Sequence, residues 1–287
     1  YLERAENMAR ILDVTQSLAM LDRSADSGGA MTPIVITEAQ TEFAATNLPV
    51  SYANVIAFLA WDRQHPSSIR NCIEATRENA RAVRGSITSE MWENINDTWI
   101  AFQEKSKNID PMMTGNEFFE WVKERSHLFR GVTFATARRD QPYHFTRLGT
   151  FIERADNTAR ILNVKYAEEA PDNFEEKEQD KETDYYRLSA VLRSVSALEA
   201  YRDTYRDVID ARRVAEIMIF DPKLPRSLRY CLDETMLVLH ELPETSGRMA
   251  RRIAAEINVR LRYGTIDEVL EYGLKRYLAD FLQDMVR

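Results

Sequence analysis

Cysteine is nearly absent: the chain has two in 287 residues, Cys72 and Cys231. Two thiols supply neither a disulfide framework nor a zinc site, and both lie in apolar helical patterns, where a thiol behaves as a small buried hydrophobe. A reducing cytoplasm is the compartment this usage suggests. Long apolar runs are missing too. No stretch of about 18 apolar residues is present to span a bilayer, so no membrane role is expected. The chain opens at Tyr1 without a methionine and already inside a helical pattern, which leaves room for a signal or an upstream domain.

Familiar reaction signatures are also missing. There is no Gly-x-Gly-x-x-Gly, no phosphate-binding Gly-x-x-x-x-Gly-Lys, no His-Glu-x-x-His and no Gly-x-Ser-x-Gly. A di-iron bundle needs two Glu-x-x-His turns plus two further glutamates, and only Glu124-Arg125-Ser126-His127 fits. Asp62 and His65 have the same spacing but lie in a turn, while His144 and His240 are isolated. Neither a metal nor a cofactor is therefore expected, and catalytic residues stay unassigned. Trp92, Trp99, Phe118, Phe119 and Trp121 recur at helical spacing, which core packing explains better than a cofactor box.

A net basic charge is lacking as well: 38 Lys and Arg stand against 46 Asp and Glu, a formal net charge of -8. Residues 168–184 hold nine acids against Lys177 and Lys181, so that one segment carries -7 and the remainder is near neutral. No segment clusters Lys and Arg without compensating acids, which excludes a nucleic-acid partner. The segment, with Pro171, reads as a solvated loop whose only sizeable apolar group is Phe174.

What is present is helix. Hydrophobic residues are 44% of the chain and charged ones 29%, a balance that suits long amphipathic helices. Periods near 3.6 run through almost every segment. The short Pro33 to Ile36 run is too brief to define a sheet, and Ser24 to Pro33, with Gly28 and Gly29, reads as a loop. Thr265 with Glu268 forms a capping box, and Pro66 and Pro225 are expected to open helices. The fold class is all-α.

The chain also matches itself. Leu2-Glu3-Arg4-Ala5-Glu6-Asn7-Met8-Ala9-Arg10 recurs at offset 150 as Ile152-Glu153-Arg154-Ala155-Asp156-Asn157-Thr158-Ala159-Arg160. Trp61-Asp62 with Pro66, Ser68, Arg70 and Cys72 recurs at offset 159 as Phe220-Asp221 with Pro225, Ser227, Arg229 and Cys231. Two collinear matches point to duplication: two helical-bundle halves, 1–145 and 146–287, related by a pseudo-twofold axis.

In the first motif Glu3, Glu6, Asn7 and Arg10 share one helix face, opposite Leu2, Ala5, Met8, Ala9 and Leu12. Glu6 to Arg10 and Asp156 to Arg160 are acid-first i to i+4 pairs. A solvated face would tolerate loose charge placement, yet both copies keep Glu-Arg, an acid, Asn and Arg at fixed spacing. Either a buried charge network between the halves or a charged ligand pocket would explain that. In the second motif Asp62 and Asp221 are placed to accept from the first turns of the helices that follow, with Ser68 and Ser227 nearby. Arg70 and Arg229 oppose the macrodipole there, so each is expected to find a carboxylate elsewhere.

These segments resemble the alpha-E family. The likeness rests on residues 2–10, on Pro66-Ser67-Ser68-Ile69-Arg70-Asn71-Cys72, on Arg77 to Arg84 and on Pro225-Arg226-Ser227-Leu228-Arg229-Tyr230-Cys231, and it spans nearly the whole chain. Members of that family are all-helical and extend upstream of the position of Tyr1. Their genes lie beside, or are fused to, circularly permuted ATP-grasp proteins, often with transglutaminase-like neighbours. The resemblance therefore implies a circularly permuted ATP-grasp partner and a role in joining carboxylates to amines on a peptide or amino-acid substrate. It implies that ATP is bound by the partner, and it transfers no catalytic residue. The leading expectation is a non-catalytic scaffold; the alternative is an enzyme or binding protein using a Glu/Arg pocket.

Overall fold

The computed structural model describes residues 1–21, 28–167, 181–243 and 247–286. Among the described residues there are fifteen α-helices and no strand. The chain divides into two compact units, Tyr1–Tyr143 and His144–Arg287.

The first unit contains α1 (Leu2–Leu21), α2 (Gly28–Ile36), α3 (Gln40–Ala45), α4 (Tyr52–Trp61), α5 (Ile69–Ala82), α6 (Ser89–Asn108) and α7 (Asn116–Thr136). Hydroxyl caps start three of them: Ser51, Ser68 and Thr88 accept from the amides of Asn54, Asn71 and Met91. The central element is α1, which packs against α2, α4, α5 and α7. A helix with neighbours on every side buries more than one stripe, and Leu2, Glu3, Ala5, Glu6, Asn7, Met8 and Ala9 are all buried. Below it, Trp61 stacks between Phe102, at 5.4 Å, and Phe118, at 4.5 Å. Its indole N–H donates to Thr114 Oγ1 at 2.7 Å, which satisfies the polar atom of a buried ring.

Residues 28–33 depart from the expected loop, because Gly28–Ile36 is helical. Pro33 deletes one helical hydrogen bond, but Ile34 and Ile36 are buried beside Ala30. Each isoleucine contributes about 1.5–3 kcal/mol, enough to offset the proline. The glycine that looked like a turn signal serves a close approach instead. A Cβ on Gly29 would lie 2.6 Å from the Tyr52 hydroxyl.

The second unit contains α8 (Gln141–Ala167), whose first residues precede the unit boundary, then α9 (Lys181–Ser194), α10 (Leu198–Tyr205), α11 (Ala211–Phe220), α12 (Leu228–Glu241), α13 (Arg248–Tyr263), α14 (Ile266–Tyr272) and α15 (Leu274–Met285). Two apparently continuous helical patterns are broken. Between α9 and α10 Ser196 takes φ 55°, and Ala197 N–H donates back to Leu192 O at 2.7 Å. Between α14 and α15 Gly273 sits at φ 95°, where side-chain-bearing residues are strained. The capping box of Thr265 and Glu268 forms as expected. Of the acidic stretch, 168–180 lies outside the described residues and 181–184 opens α9.

Candidate functional site

The Glu-Arg motif of α1 meets α7 along an antiparallel seam. Glu6 is fully buried and Glu3 is 6% exposed. Arg130 Nη1, from α7, donates to Glu6 Oε2 at 2.5 Å, to Glu3 Oε2 at 2.8 Å and to Ser126 Oγ at 2.9 Å. The other oxygen of Glu6 accepts from Arg10 Nε at 3.0 Å and Nη2 at 2.8 Å. His127 Nε2 lies 3.2 Å from Arg10 Nη2 and 3.4 Å from Glu6 Oε1. Farther along, Lys123 Nζ pairs with Asp13 at 2.9 Å, and Gln16 donates to Thr114 O at 3.1 Å.

Chemically this seam is a closed charge lock. Two buried carboxylates are matched by two guanidiniums, so the desolvation of each charge is offset by a partner in direct contact. Both oxygens of Glu6 are engaged, one by each arginine, and the planar arginine forks fix their directions. The helix face that the sequence sets opposite Leu2 and Ala5 is therefore not solvated at Glu3, Glu6 and Asn7. The partners found for it, Arg130, Ser126 and His127, come from the same unit.

Arg4 points elsewhere. Its Nη1 lies 3.4 Å from Ser67 Oγ, in the turn that carries the second motif, and its guanidinium sits 5.6 Å from the Tyr1 ring. The two motifs, some 60 residues apart, thus meet within the first unit. They meet in the second unit as well, where Thr158 Oγ1 donates to Arg226 O at 2.8 Å.

The Glu-Arg motif of α8 is less enclosed. Glu153 and Arg154 are half-buried, with the Arg154 guanidinium 5.7 Å from the Phe151 ring. Asp156 accepts from Arg160 at 2.7 and 3.1 Å, with both side chains about a quarter exposed. Asn157 is buried and its Nδ2 finds no partner among the described residues.

The turn motif takes the same local form in both units. Asp62 Oδ1 accepts from the amides of Gln64 and His65 at 2.6 and 2.9 Å, and Asp221 Oδ1 from Lys223 and Leu224 at 2.6 and 3.0 Å. Ser68 and Ser227 each donate back to the preceding aspartate carbonyl and cap the helix that follows. This corrects the sequence reading in detail. The prolines do not open the helices but sit two residues before the serine cap, and the aspartates close a turn rather than capping the helix. Arg70 finds no carboxylate among the described residues and lies 5.9 Å from the Phe102 ring, whereas Arg229 lies 3.8 Å from Asp233 of its own helix.

His65, in that turn, is 5% exposed and stacks on Phe58 at 4.8 Å. Neither ring nitrogen has a hydrogen-bond partner among the described residues, and burial depresses its pKa. Among the described residues no three His, Cys, Asp or Glu side chains group to hold a metal, and no helix is long and apolar enough to cross a membrane.

A family model described as a predicted alpha-helical domain with a conserved ER motif, Alpha-E, matches residues 1–287. The chain belongs to the Alpha-E family, and the Glu-Arg pairs at 3–4 and 153–154 fit that description. It is similar to an uncharacterized protein of Mycobacterium bovis and to one of Mycobacterium tuberculosis, each 26% identical across 98% of this chain. A further uncharacterized Mycobacterium tuberculosis protein is 25% identical over the same share. The chain spans about a third of the length of these relatives. No solved structure matches it.

Proposed function

We propose that the chain is a non-catalytic helical module that partners a circularly permuted ATP-grasp protein in amide or peptide-bond formation. It would act in the cytoplasm, on a peptide or amino-acid acceptor. The observation that carries this reading is the saturation of Glu6. A carboxylate at zero exposure, with both oxygens accepting from arginines, is committed to the α1–α7 seam and closed to solvent. The Glu-Arg motif is on this reading a device that holds α1 against α7. The missing phosphate loop supports it too, since ATP would then be bound by the partner.

On the same reading the two units are duplicated halves, which the matching turn geometry at Asp62 and Asp221 supports. Sizing chromatography of the purified chain with a circularly permuted ATP-grasp protein from the same organism tests the partnership. A stoichiometric complex is expected, and two independently eluting species would refute it.

A further inference from the structure

Within the second unit, α11, α13, α14 and α15 line an open pocket of about 450 Å³. Its walls include Phe220, Tyr263, Tyr272 and Tyr277, with Asp280, Glu268 and Arg260 as charged members. The three charges are in different states. Arg260 is paired with Asp284. Asp280 is half-buried; it accepts from the Tyr272 hydroxyl at 2.7 Å, and among the described residues no lysine or arginine pairs with it. The carboxylate of Glu268, which also borders the pocket, is engaged by the Thr265 amide. With Arg260 paired to Asp284, the lining leaves two carboxylates, Asp280 and Glu268, without a salt bridge among the described residues, and the nearby Arg276 lies over the Tyr272 ring.

Carried forward from the turn motifs, the offset of 159 sets Phe220 against Trp61, Leu261 against Phe102, Tyr277 against Phe118 and Asp280 against Trp121. In the first unit those four aromatic rings form a stacked cluster, with Trp61 on Phe102 and Phe118, and Phe118 on Trp121 at 6.0 Å. In the second, each position is smaller or more polar. A stacked aromatic cluster at one place thus corresponds to an open pocket with a carboxylate at the other.

From this we infer that the pocket binds an organic ammonium: a primary amine carrying an apolar body, its cation on Asp280 and its body against the rings of Phe220, Tyr263 and Tyr277. Aromatic faces attract cations electrostatically, and the half-buried carboxylate of Asp280 supplies the direct ion pair. The Arg276 guanidinium already lies 4.7 Å from the Tyr272 ring, a local instance of the same attraction. Burial pushes the Tyr277 phenol up to about 12, so that ring stays neutral at ordinary pH. The site does not depend on the ATP-grasp reading.

The probe is 2-phenylethylamine, titrated calorimetrically into the full chain beside its neutral analogue 2-phenylethanol. Saturable binding of the amine with Kd about 1 mM or tighter is expected, with the alcohol at least about tenfold weaker. Asp280→Asn should weaken the amine at least about tenfold. Phe220→Trp, which restores the bulk present at Trp61, should abolish binding. Tyr263→Ala, at an exposed ring on the rim, should weaken it and serves if the tryptophan variant does not fold. No saturation, equal binding of amine and alcohol, or an affinity untouched by Asp280→Asn would overturn the assignment.

Discussion

The guanidinium of Arg130 closes on the fully buried carboxylate of Glu6 at 2.5 Å, although the two residues are 124 positions apart in the chain. Removing the arginine leaves Glu6 Oε2 without that donor, in a buried position, with Arg10 as its remaining arginine. Glu3 loses the same guanidinium, and breaking such a buried pairing costs about 3–5 kcal/mol. Arg130→Ala should lose that much in denaturant unfolding, whereas Arg81→Ala, at an exposed Glu78 pair, should stay within about 0.5 kcal/mol of the parent.

The same motif should respond unequally in its two occurrences. Asp156 and Arg160 remain about a quarter exposed, so their pairing is partly screened. Asp156→Ala is expected to cost about 1 kcal/mol or less, against about 3 kcal/mol or more for Glu6→Ala. Chemical denaturation of both variants checks this, and equal losses would mean that burial does not set the difference.

That inequality marks where the sequence was legible. Helix content, the buried positions of Cys72 and Cys231 and the capping box at Thr265 depend on neighbours within a few residues, and periodicity reads those directly. The surroundings of Glu3 and Glu6 are set by Ser126, His127 and Arg130 on α7, which no local pattern links to α1. His127 drew notice only as a metal ligand. The prolines misled by a short distance: a proline just before a serine cap looks like a first helical residue until the cap is seen at Ser68 and Ser227. The break at Ser196 carries no glycine, and the pocket depends on side-chain volumes at Phe220, Leu261 and Tyr277 that no spacing reveals.

His65 should make the fold acid-sensitive. Its ring is held below the ordinary value of 6.5 by burial, against the opposing pull of Glu42 and Asp62. Below that value the unfolded chain binds the proton first, so stability is full above about pH 6.5 and falls as pH drops through it, by at most about 1.4 kcal/mol per pH unit. In His65→Phe the slope between about pH 7 and pH 5 should flatten by that contribution. Parallel stability curves for parent and variant would argue that His65 is uncharged in neither state differently.

Gly264 follows α13 with no room for a side chain. A Cβ there would lie 2.5 Å from Arg260 O and 3.5 Å from the Phe220 ring. Gly264→Ala must therefore shift backbone, and a loss of about 1–3 kcal/mol is expected. Thermal unfolding measures it, and an unchanged midpoint would mean that the helix end relaxes freely.

The proposed division of labour, with ATP bound by a partner and not by this chain, is tested most directly by calorimetric titration of the isolated chain with Mg-ATP, repeated after adding a circularly permuted ATP-grasp protein. The chain alone should bind with Kd no tighter than about 1 mM, and saturable binding should appear only with the partner present. Saturable micromolar binding by the chain alone would contradict the account.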